Sequence, residues 1–223
     1  VGLKLKLRKF DTVGVSVDSP SEELLQGQVR GVEVLGTNWE SPRGLTCRDL
    51  MAKVGETGID TEALLKKGRI DLSRPALGSC EVVFDSQDFA NFLAHPRISK
   101  ASIPAGDFVF RTRQQGEGSE WHREAAHIEG ARGCVLFAGK LGSKMTRLAI
   151  FPKETGVTVT PVGSVDPEIC KGMSNFFNTL RIDLDGAHLT LDTMRFDPDT
   201  PELVTLVLAL NVVHFPNPIT TSF

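Results

Sequence analysis

Tyrosine is absent from the 223 residues, and tryptophan occurs twice against thirteen phenylalanines. Binding surfaces built on the polar tip of a tyrosine ring are therefore excluded. No apolar run reaches the roughly 18–20 residues that a membrane-spanning helix needs. Neither sign of charge dominates. The 25 Lys and Arg against 28 Asp and Glu leave a formal net charge of −3, and nothing in that balance points to nucleic acid. The chain opens at Val1 rather than Met and shows no signal or transit peptide, so location is not readable from it.

Reactive motifs are equally scarce. Cys47, Cys80, Cys134 and Cys170 lie far apart, with no C-x-x-C and no zinc spacing. They are expected to be free and buried, without a metal, although an oxidising compartment would permit a disulfide. His122 and His127 in "HREAAH" are five apart, and the zinc-protease helix needs four, so they read as loop histidines. "GKLGSK" at 139–144 has the wrong order for a phosphate loop, and there is no G-x-S-x-G elbow. Asp183, Asp185, Asp192, Asp197, Asp199 and Glu202 cluster in sequence but lack the EF-hand arrangement. Turn and capping duty accounts for Asp185, Asp197 and Asp199. No catalytic residue, metal site or cofactor is read from the sequence.

What the chain does have is apolar alternation. Leu3, Leu5 and Leu7 share one face of an opening strand or strand pair with Val13, Val15 and Val17, while Lys4, Lys6 and Arg8 form a wet, basic face. That face is either simply solvated or attracted to anionic lipid headgroups. Cys80, Val82 and Phe84 share a face further on. Two short helices interrupt the strands. The first, near 85–95, is capped by Asp85 or Ser86, carries the stripe Phe89, Phe92 and Leu93, and is closed by Pro96. The second, near 166–180, is capped by Asp166 with Pro167 in its first turn and carries Ile169, Met173, Phe176 and Phe177. "DG" at 185–186 marks a hairpin turn. Leu189 and Leu191 use odd positions but Met194 and Phe196 use even ones, so a β-bulge is expected at Asp192–Thr193. The polar segment 111–130 reads as a hairpin tip or loop.

The segment "LVTLVLALNVVHF", Leu203 to Phe215, breaks the alternation, because both of its faces are apolar. Thr200, Pro201 and Glu202 would suit a helix start. The β-branched residues and the following Pro216 favour a strand instead, one that would reach about 40 Å at about 3.3 Å per residue. The element order gives an α+β chain dominated by long antiparallel strands. It forms a single elongated unit with two similarly organised halves, about 1–100 and 101–223. Two helices cannot cover both faces of so much sheet.

Several segments in order resemble one family: "EELLQGQVRGVEVLGTNWESPRGLTCRDL", "LLKKGRIDLSRPALGSCEVVFDSQDFANFLAHP" and "LDGAHLTLDTMRFDP". They are similar to the LmeA-like phospholipid-binding proteins of actinobacteria, cyanobacteria and plastids. The resemblance covers most of 20–95 and 180–215 and leaves 105–150 unmatched. It implies a tubular lipid-binding-like fold, in which long curved strands wrap one or two short helices and enclose an apolar groove. It also implies a non-catalytic lipid-binding or lipid-transfer role peripheral to a chloroplast or bacterial envelope membrane, with phospholipid as partner. The lining expected on that basis is Leu189, Leu191, Met194, Phe196, Leu206, Leu208 and Leu210, with Phe89, Phe92, Phe176 and Phe177 from the helices. Val207 and Ala209 would then face packed core. From residues alone a dry core on both faces is the alternative, and assembly into a membrane-associated complex is the rival function.

Overall fold

In the computed structural model the described residues are 7–41, 44–62, 66, 71–99, 108–110, 125–184 and 186–214. The chain is α+β and mostly antiparallel. It begins with β1 (Thr12–Asp18), α1 (Ser21–Leu25), β2 (Gln28–Val29), β3 (Gly31–Glu40), β4 (Thr46–Val54), β5 (Thr57–Gly58) and β6 (Ala76–Phe84). Next come α2 (Ser86–Ala94), α3 (Pro96–Ser99), β7 (Phe108–Phe110), β8 (Ala126–Glu129), β9 (Cys134–Leu141), β10 (Lys144–Pro152) and β11 (Val157–Val162). The last elements are α4 (Pro167–Asn178), β12 (Arg181–Leu184), β13 (Ala187–Arg195) and β14 (Val204–Val212).

A seven-stranded sheet has the order β1-β3-β4-β6-β14-β13-β12, so it takes strands from both ends of the chain. A second sheet runs β11-β10-β9-β7, with β8 also paired to β9, and β2 pairs with β5. Phe84, Phe89, Phe92, Phe137, Phe176, Phe177, Leu206 and Leu208 belong to one continuous apolar core drawn from both large sheets and both longer helices.

The two longer helices form where the capping residues place them. Asp85 accepts the Asp88 N–H at 2.8 Å and starts α2. Asp166 accepts the Glu168 N–H at 2.9 Å and starts α4 behind Pro167. Pro96 does not simply close α2. His95 turns extended, and Pro96 begins the short α3. The expected bulge is present as a register shift between Leu191 and Thr193. It frees the Asp192 carbonyl to accept the Gly156 N–H, and the Thr193 hydroxyl to donate to the Lys153 carbonyl at 2.8 Å. The irregularity thereby ties the large sheet to the β10–β11 turn.

Several expectations need correction. Residues 203–215 do not form one strand of about 40 Å: β14 spans Val204–Val212, and Val213 and His214 already bend away. Phe215 lies outside the described residues. Val207 and Ala209 are not core. Val207 sits between Glu81 and Thr193 on the outward face, where Glu81 pairs with Arg195 at 2.5 Å, and Ala209 is exposed. The second apolar face of this strand is thus solvent-side, partly shielded by the stems of long charged neighbours. His127 lies in strand β8 rather than a loop, although it is exposed. Lys4, Lys6, Leu3, Leu5, His122 and Asp185 lie outside the described residues. Arg8 is paired with Glu40 at 3.3 Å.

Candidate apolar site on the inner face of the large sheet

Directly opposed residues of antiparallel strands point to the same face, so the register defines rows across the sheet. One row runs Leu191, Leu208, Cys80, Ala52, Val34, Val15, from β13 to β1. A second runs Leu189, Leu210, Gly78, Val54, Val32, Val17. Both are uncharged throughout, and their exposure changes along the row. Leu208 is 5% exposed and Cys80 is buried, Ala52 and Val34 are half-buried, and Val15 is 57% exposed. Val17 ends the second row at 51%. The buried part of the face therefore passes without interruption through the half-buried Ala52, Val54, Val32 and Val34 of β4 and β3 to the exposed Val15 and Val17 of β1.

A third row runs Met194, Leu206, Val82, Leu50, Gly36, Val13. Trp39 closes it, because a Cβ on Gly36 would come within 1.8 Å of the indole Nε1. Asn38, at φ 49, supplies the left-handed residue ahead of this indole, a conformation asparagine tolerates better than most side chains.

The residues named from the sequence fall in the covered half. Phe89, Phe92, Phe176, Phe177, Leu189, Met194, Leu206, Leu208 and Leu210 are all buried in the core, and Leu191 and Phe196 pack against it partly exposed. They divide into two aromatic nests. Phe84, Phe89 and Phe92 meet with ring centroids 5.5–6.1 Å apart. Phe176 and Phe177 join Phe110 and Phe137, with Phe176 and Phe177 5.1 Å apart. The more exposed half, on β4, β3 and β1, holds none of them. Its signal was present in the alternation of "TVGVSVD" and "GVEVLG", which marks an apolar face but not its exposure.

Polar groups border this face at both ends. Beyond Val17, Val32 and Val54, a hollow is lined by Glu23, Gln28, Arg30 and Glu56. Arg30 donates to Glu23 at 2.5 and 2.8 Å, and Arg74 to Glu56 at 2.6 Å. At the other end Arg48 of β4 bonds the Asp85 carboxylate and lies 3.5 Å from Asp88. Asn91 donates to the Thr46 hydroxyl at 3.0 Å. Burial pushes Asp88 up from its ordinary value, against the hydroxyl of Thr46. Burial acts on Asp85 in the same sense, but the Asp88 N–H and the Arg48 guanidinium outweigh it and hold Asp85 low. The Arg48–Asp85 and Asn91–Thr46 bonds clamp α2 to β4.

The chemistry otherwise available is sparse. All four cysteines are free and buried, and burial pushes the Cys47 and Cys80 thiols up to about 12, which removes their nucleophilic character. Among the described residues no three His, Cys, Asp or Glu side chains converge as a metal site, and no helix is long and apolar enough to cross a membrane. Residues 139–144 are the end of β9, the turn at 142–143 and the first residue of β10. Comparison with known proteins returns nothing: no family model, no curated protein and no solved structure matches the chain.

Proposed function

We propose that this chain is a non-catalytic phospholipid-binding or lipid-transfer protein, whose acyl-chain site is the inner face of β1, β3 and β4, exposed on β1 and half-buried on β3 and β4. The observation that carries this reading is the graded row Leu208, Cys80, Ala52, Val34, Val15, which passes from core to solvent without a polar residue. Exposed contiguous apolar surface of this kind marks a binding site. Its lining is aliphatic and small, which suits a flexible chain rather than the Tyr, Trp and Arg anchors of protein interfaces. An acyl chain laid along it gains about 0.8 kcal/mol for each CH₂ it buries. The hollow at Glu23, Gln28, Arg30 and Glu56 lies where the strands end and offers both signs of charge to a headgroup.

Incubation with phosphatidylcholine and phosphatidylglycerol vesicles, followed by native mass spectrometry and lipid extraction, tests the reading. Bound phospholipid is the expected result. Val34→Asp places a carboxylate in mid-row, where burying it under an acyl chain is costly. Uptake should fall at least tenfold with little change in melting temperature. Lipid-free protein, or undiminished uptake by a folded Val34→Asp variant, overturns the proposal. Lipid-free wild type that instead co-purifies with a membrane protein complex would favour the assembly role.

A further inference from the structure

Sheet edges differ in how they are protected. At the β11 edge, Asn178 accepts the Val157 N–H at 2.7 Å and Ser174 accepts the Val159 N–H at 2.8 Å, both from α4, and Pro161 removes a donor. On β8, Ser86 accepts the Ile128 N–H at 3.1 Å. The edge strand β12 carries the Arg181–Asp183 ion pair at 3.0 Å. Such devices block strand addition. β1, the other edge of the seven-stranded sheet, reads TVGVSVD and has no proline, no lysine and no arginine. Every residue of it except Val13 is exposed.

The direction of its backbone groups follows from one bond. The Asp18 carbonyl accepts the Arg30 N–H on the β3 side. Backbone groups alternate along a strand, so the N–H and C=O of Val13, Val15 and Val17 face the outer edge. We propose that this edge is a homodimer interface, in which β1 pairs antiparallel with β1 of a second copy about a twofold axis at Val15. The sequence is self-complementary in that register. Val15 meets its own copy, Val13 meets Val17, Gly14 meets Ser16, and Thr12 meets Asp18, the strand's one charge. Identical charges never face each other, and about six backbone hydrogen bonds can form. The pairing joins the open apolar faces of the two copies edge to edge. It does not depend on the lipid reading.

Sedimentation without lipid, from low to high micromolar protein, tests the proposal. The expected wild-type result is conversion from chain mass to twice that mass. Val15→Pro removes the central outward N–H, which an edge strand tolerates, and should weaken dimerisation at least tenfold. Val15→Cys provides a second readout. Opposed Cα atoms in this pair lie about 5.5 Å apart, within disulfide range, so mild oxidation should cross-link it. Thr12→Cys should not cross-link, because Thr12 faces Asp18. The native thiols are buried and do not interfere. A wild type that stays monomeric while Val15→Cys fails to cross-link overturns the proposal. So does a dimer that persists in folded Val15→Pro, or equal cross-linking at positions 12 and 15.

Discussion

The two halves of the large sheet's inner face share one chemistry and have different fates. On β6, β14 and β13 the side chains Cys80, Leu208 and Leu189 are buried under the helices and the second sheet. On β1, β3 and β4 the same rows continue as Val15, Val34 and Ala52, which are exposed or half-buried. An apolar face is thus a property of a strand, whereas burial is a property of what packs on it. Hydrophobic stabilisation follows the area removed from water, so the covered half contributes more to holding the fold together than the more exposed half.

The sharpest way to break this comparison is truncation deep in the covered half. Phe177 touches Phe110, Phe137 and Phe176. Phe177→Ala should cost about 3–5 kcal/mol in urea unfolding; a cost near zero would mean the covered half is loosely packed. The next test inserts bulk at two points of one row. Leu208→Trp overpacks a buried site and should cost about 1–3 kcal/mol, whereas Val34→Trp should cost under about 0.5 kcal/mol while blocking lipid uptake. Equal costs would erase the distinction between the halves.

A smaller effect concerns the clamp that sets where the cover begins. Asp85→Ala removes the α2 cap and the Arg48 partner and should cost about 1 kcal/mol at pH 7. The Asp85 carboxyl is held below its ordinary 3.8 in the fold, with the Asp88 N–H and Arg48 outweighing burial. Its contribution is therefore complete above that value and lost as pH falls through the lower folded value. Denaturation of wild type and variant from pH 7 to pH 2 should show the two curves converging in acid. A gap that widens in acid would contradict the assignment. The smallest change is Val15→Ala on the open edge, which should move the melting temperature very little, within about 0.5 kcal/mol.

Much of the local structure was legible. Asp85 and Asp166 mark helix starts because each supplies an acceptor to orphan N–H groups. The switch from odd to even apolar positions locates the bulge between Leu191 and Thr193, because strand side chains alternate with period two. The length of β14 was overestimated, since an apolar run carries no signal for where pairing with β6 and β13 stops. Its outward face was misassigned for a related reason. Val207 is shielded by Glu81 and Arg195 from two other strands, a neighbourhood that residues 203–215 do not encode.

The sequence alone therefore determined which residues alternate, which turns and caps punctuate them, and that antiparallel strands dominate, because these depend on interactions within a few residues. Only the tertiary structure decided that β6 lies beside β14 across more than a hundred residues, and that β1 ends the sheet with Val15 and Val17 exposed. Those outcomes depend on which distant surfaces meet. A valine that will be buried and a valine that will stay open carry the same side chain, so no local pattern can tell them apart.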